Sequence, residues 1–180
     1  MSLDDNVAIH YLQQSVDIYN SMPYEKNKLI TAFIQLAERY FRIKDFKQTE
    51  KYYERAIDIL RLEGTNNSQY YKTLLDIIHF YMTTQQIHKV EKYAERIIDE
   101  IEKLYMPTID EYWILATTFR AFAYAKLQLS DTKESLSLFK RGLKVFTLLQ
   151  NQLTQINPTI TVYIEDIKRQ INRISSHINS

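Results

Sequence analysis

Residues 52–60 read YYERAIDIL, and the pattern recurs as YLQQSVDIY at 11–19, YAERIIDEI at 93–101 and LFKRGLKVF at 138–146. Successive copies begin 41, 41 and 45 residues apart, a period that marks a supersecondary unit repeated along the chain. The stretch before YYERAIDIL shows what that unit is. In NKLITAFIQLAERYFRIKDF, residues Leu29, Ala32, Phe33, Leu36, Tyr40 and Ile43 follow three- and four-residue steps, the signature of an amphipathic helix. Lys44-Asp45 interrupts the pattern. Phe46, Thr49, Tyr53, Ala56, Ile57 and Leu60 then take up a second helical face, so the unit is a helical hairpin. Gly64 is placed to end it, with Asn66, Asn67 and Ser68 as cap candidates for the next helix.

The same reading runs on. Leu74, Ile77, Ile78 and Tyr81 predict one helix, Thr83 to Gln86 a break, and Ile87, Val90, Ala94, Ile97 and Ile101 its partner. Pro107 punctuates the chain. A third hairpin carries Phe119, Phe122, Ala123 and Leu129, a break at Ser130-Asp131, then Ser135, Phe139, Gly142 and Phe146. After Pro158, residues Tyr163, Ile167, Ile171, Ile174 and Ile178 share one face, with Glu165, Lys168, Arg169 and Arg173 opposite, as a closing helix requires. The first copy has only ten residues before it, so it is either a lone helix or half of a unit, with Val7, Leu12, Val16 and Tyr19 short of neighbours. The expectation is an all-α fold of eight helices. Residues 1–22 form a lone helix or half-repeat; 24–64, 66–105 and 107–152 form three repeats; 157–178 form the cap. The whole is a right-handed α-solenoid of antiparallel hairpins in a single domain.

Composition agrees with helices. Two glycines and three prolines in 180 residues are too few for the turns of a many-stranded sheet protein. Lys plus Arg number 23 against 22 Asp plus Glu, so no overall field draws the chain to nucleic acid or anionic lipid. The charge is unevenly spread, however. Residues 1–24 carry Asp4, Asp5 and Asp17 and no Lys or Arg, whereas the last 48 residues hold Lys133, Lys140, Arg141, Lys144, Lys168, Arg169 and Arg173 against three acids. Cysteine is absent, which excludes disulfides and thiolate chemistry. With no signal-like start and no apolar run of membrane length, a cytoplasmic protein is expected.

Segment 30–63 resembles a tetratricopeptide repeat: Phe33, Leu36, Ala37, Tyr40, Thr49, Tyr53 and Ala56 stand at the positions that define its signature. The third unit keeps Phe119, Ala123, Ser135, Phe139 and Gly142 but has Lys126 where the tyrosine belongs. The middle unit puts Ile78, Val90 and Ile97 at the three small positions, which should hold its two helices apart. The long period is similar to the repeats of kinesin light chains, bacterial peptide-sensing regulators and vesicle-fusion adaptors. The resemblance implies that the first helix of each hairpin lines a concave face. Ile34, Glu38, Phe41 and Arg42 would come from the first repeat, Leu75, His79 and Met82 from the second, and Arg120 and Tyr124 from the third. A groove with an apolar floor and a few charged posts suits a peptide or an amphipathic helix. The carboxylate clamp of chaperone-tail-binding relatives does not fit, because Ile34, Glu38 and Asp76 occupy its places and two acids repel that ligand.

No catalytic constellation is evident. His10, His79, His88 and His177 fall at no ligand spacing, and Gly64 and Gly142 are too far apart for a phosphate loop, so no enzyme activity, metal or cofactor is expected. Lys140, Arg141 and Lys144 with Lys168, Arg169 and Arg173 make a basic patch, which reads as solvated helix faces rather than a nucleic-acid surface. The expected function is a scaffold or interaction module for a protein or peptide partner. The second reading is a sensor array for a short signalling peptide, and the open N-terminal half-unit suggests a homodimer as a further partner arrangement.

Overall fold

The structure, a computed structural model, describes residues 3–22, 24–63, 68–155 and 157–178. Those residues form eight helices and no strand: α1 (Leu3–Asn20), α2 (Lys26–Arg42), α3 (Phe46–Glu63), α4 (Ser68–Thr83), α5 (Ile87–Ile101), α6 (Ile109–Gln128), α7 (Thr132–Gln152) and α8 (Pro158–Ile178). The fold is all-α, as the periodicity predicts. Gly64, Asn66 and Asn67, assigned above to the end of one helix and the start of another, lie outside the described residues. The chain divides into two compact units, residues 1–73 and 74–180, with the boundary inside α4.

In the first unit α2 packs against both α1 and α3. Leu29, Ala32, Phe33, Leu36 and Ala37 of α2 are buried, as are Tyr52, Tyr53, Ala56, Ile57 and Leu60 of α3. The α2–α3 seam is aromatic: Tyr52 stacks on Tyr40 at 5.5 Å and tilts against Phe33 at 5.9 Å. Arg39 reaches Asp5 of α1 at 3.1 Å, and the Gln13 amide donates to the Tyr40 hydroxyl at 2.9 Å.

In the second unit α6 lies between α5 and α7, and α8 packs on α7. The α6–α7 approach is close because Gly142 has no side chain. A Cβ there would sit 3.1 Å from Phe119 Cβ and 3.7 Å from the Ala116 carbonyl, so a methyl would push the helices apart. Nearby, the buried Ser135 hydroxyl donates to the Ala123 carbonyl across the seam at 2.8 Å. In the middle hairpin Ile78, Val90 and Ile97 are fully buried, and Tyr81 of α4 meets Tyr93 of α5 at 5.6 Å.

All three hairpins turn by one device. Lys44, Gln85 and Ser130 have φ of 62°, 58° and 63°, the left-handed conformation of a helix C-cap. The next amide reaches back five residues: Asp45 N–H to Tyr40, Gln86 to Tyr81 and Asp131 to Lys126, each at 2.9 Å. Lys44, Gln85 and Ser130 themselves donate to the carbonyls of Phe41, Met82 and Leu127. These paired bonds are the Schellman motif. Asp45 and Asp131 then cap the following helices, accepting from the amides of Gln48 and Glu134 at 3.1 Å. The left-handed residues are 41 and 45 residues apart, the spacing of the later sequence echoes.

The punctuation at Pro107 and Pro158 has local chemistry as well. Thr108 and Glu111 form a reciprocal capping box at the start of α6, and the Asn157 side chain accepts from the Thr159 and Ile160 amides at 3.0 and 3.3 Å ahead of α8. Ile160, Ile167 and Ile174 of α8 are buried, while Glu165, Lys168, Arg169 and Arg173 are exposed as expected. The spacing sets Ile178 with the buried face. It is the last residue of α8 and is exposed.

Candidate partner-binding surface

In the first unit, α2 sets Ile34, Glu38 and Phe41 on one stripe by four- and three-residue steps, with Arg42 beside it. Ile34 and Phe41 are half-buried; Glu38 and Arg42 are exposed and form no ion pair among the described residues. The Phe41 ring is steadied by Phe46 at 6.1 Å. One turn round the same helix, Lys28, Thr31 and Gln35 face Leu12, Ser15 and Tyr19 of α1 across a cleft of about 300 Å³. An apolar step with charged edges, next to a cleft, is thus open to solvent.

In the second unit the corresponding residues are placed differently. Leu75, expected on the groove wall, packs inward and is in the core, 7% exposed. Met82 is half-buried and His79 exposed. Although its rim is open to solvent, the surrounding protein and then the Arg120 guanidinium hold the His79 pKa below its ordinary 6.5. On α6, Arg120 and Tyr124 are occupied by a residue of α8. Asp166 accepts from Arg120 Nε at 2.9 Å, from Arg120 Nη2 at 2.8 Å and from the Tyr124 hydroxyl at 2.8 Å. Burial, then this bond to a carboxylate, raises the Tyr124 pKa and keeps the phenol a donor.

The guanidinium also lies over the Tyr163 and Tyr124 rings at 4.6 and 5.1 Å. Tyr163 in turn stacks on Trp113 at 5.8 Å and meets the edge of Phe146 at 5.6 Å. Arg120 and Asp166 are only 28% and 18% exposed, so this charge-assisted pair stands above the ordinary surface ion pair. Within the second unit, then, the closing helix fills the α6 face that the sequence assigned to a guest.

Sequence reasoning missed Asp166. Its signal was its place between Tyr163 and Ile167 on the apolar side of α8, away from the outward Glu165, Lys168 and Arg169. Two further cross-links were also unforeseen. Lys126, at the position where the repeat signature has tyrosine, pairs with Glu91 of α5, and Arg141 takes both oxygens of Glu102 at 2.7 and 2.8 Å while covering Phe119 at 4.4 Å. The Glu91 bond raises the Lys126 pKa, so its ammonium is retained. Among the described residues no group of three or more metal-binding side chains is assembled, and no helix is long and apolar enough to cross a membrane.

The recurrent turns, the seams with small residues and the consecutive helix packing within each unit define a helical repeat protein. No family model matches the chain. It is similar to Regulatory protein RapK of Bacillus subtilis (strain 168), with 21% identity over 178 residues, which cover 96% of this chain and 45% of RapK. The chain therefore spans less than half the length of that relative.

Proposed function

We propose that this chain is a tetratricopeptide-like regulatory module that binds a peptide or a helix of a partner protein and performs no catalysis. The observation that carries the reading is the difference between two equivalent faces. On α6, Arg120 and Tyr124 are satisfied from within by Asp166, whereas on α2 Glu38 and Arg42 flank Ile34 and Phe41 with nothing bonded to their charges among the described residues. The likeness to a relative named as a regulatory protein supports the same reading. The α2 face is the first contact surface; His79 and Met82 on α4 offer a second, separate one.

The experiment is retention of the partner from native lysate, its identification, and an affinity measurement with purified components. Phe41→Ala is expected to weaken binding at least tenfold and Arg42→Glu to change its salt dependence, with helicity preserved in both. Unchanged affinity in both variants overturns the assignment. The second reading is a sensor array for a short signalling peptide, and free short peptides separate the two. A sensor is stabilised by a free peptide in a thermal-shift assay, whereas a scaffold responds only to the folded partner.

A further inference from the structure

Helix α1 buries Ile9 and Val16 and turns Val7, Tyr11 and Ile18 the other way, 50%, 63% and 53% exposed. Their spacing of four and seven residues makes a single stripe, about 16 Å long at 1.5 Å per residue. Asp4 and Asp17 flank it, and the sequence holds no Lys or Arg before Lys26. Gln14 lies within the stripe and His10 at its edge, bonded to each other at 3.1 Å, while its carboxylates are Asp4 and Asp17. Such a surface suits an apolar groove bordered by cations.

The chain carries such a surface itself. On α7 a groove of about 460 Å³ has Val145 and Leu148 as its apolar floor, with Phe119 buried beneath Arg141, and Glu102, Arg141, Lys144 and Asn151 on its rim. Leu148 is exposed, Lys140 and Lys144 are exposed beside it, and neither lysine forms an ion pair among the described residues. From Arg141 to Asn151 the groove runs ten residues of helix, about 15 Å, which matches the α1 stripe. Arg141 is already neutralised by Glu102, so the unspent charge belongs to Lys140 and Lys144.

Two other surfaces among the described residues fit less well. Two α1 helices face to face bring acid against acid. The outer face of α8 has the cations Lys168, Arg169 and Arg173 but only Val162 as an apolar group, so it has no floor.

We infer that α1 of one copy docks its Val7–Tyr11–Ile18 stripe into the α7 groove of a second copy, with Asp17 against Lys140 and Lys144. The contact is heterologous: one copy offers the acidic helix, the other the basic groove. The helices run antiparallel, which places Asp17 at the lysine end of the groove and opposes the two helix dipoles favourably.

Sedimentation equilibrium of the full 180-residue chain tests this at low salt and at 0.5 M salt. The expected result is a weight-average mass that rises above 21.6 kDa with concentration and falls back with salt. D17K and K144E each raise the dissociation constant at least tenfold, and the double variant D17K/K144E, which restores opposite charges, recovers most of it. Both positions are on the surface, and circular dichroism verifies that the fold survives. A mass that stays at 21.6 kDa up to several hundred micromolar overturns the inference. So does association that I18E abolishes while K144E leaves it intact, which identifies α1 pairing with α1.

Discussion

Arg120 illustrates how a residue's role is decided by a neighbour far along the chain. Its position in the repeat suggests a post for a guest, but Asp166, 46 residues on, takes the guanidinium and the Tyr124 hydroxyl together. Arg120→Glu is therefore expected to destabilise the second unit by about 2 kcal/mol, from lost charge-assisted bonds and carboxylate repulsion. R120E/D166R is expected to recover part of that loss. Trp113, the only tryptophan, reports the change, because its stacking on Tyr163 of α8 loosens with the latch. Unfolding curves followed by Trp113 fluorescence check both statements. His79 gives a pH signature. Its folded pKa is depressed, so its contribution to stability is complete above about pH 6.5 and is lost as pH falls through the lower folded value. Replacing it, as in His79→Gln, should flatten the decline of stability between pH 7 and pH 5 in denaturant titrations; an unchanged slope contradicts the assignment.

At the scale of elements, the hairpins were legible because hydrophobic spacing at three and four residues survives in every copy, and the breaks at Lys44-Asp45, Thr83–Gln86 and Ser130-Asp131 coincide with the observed turns. The conformation of those turns was not legible. A left-handed C-cap is usually announced by glycine or asparagine, and here it is held by lysine, glutamine and serine. Each carries a steric cost in that conformation that glycine escapes, partly offset by the greater freedom glycine has when unfolded. Ser130→Gly and Lys44→Gly are thus expected to stabilise the chain by up to about 1 kcal/mol, seen as a rise in Tm. A fall in Tm for both variants contradicts the turn geometry. Asp166 was illegible for a different reason: pairwise chemistry between α6 and α8 leaves no periodic trace, unlike a packed face.

For the whole molecule, the repeat period gave eight helices in the right order, while the two compact units, with their boundary inside α4, correspond to no break in the sequence pattern. The candidate surface was half legible. Ile34, Glu38, Phe41 and Arg42 stand open or half-open on α2, whereas Leu75 is buried and Arg120 and Tyr124 are spent on α8. What distinguishes a binding face from a filled one is whether another segment of the chain arrives there, and that is a property of tertiary packing. The most direct measurement selects the tightest peptide from a displayed library and titrates it into isotopically labelled chain. The account predicts amide shift changes centred on residues 34–42 of α2, with the Trp113 environment unmoved. Changes confined to α6 and α8, with α2 silent, contradict it.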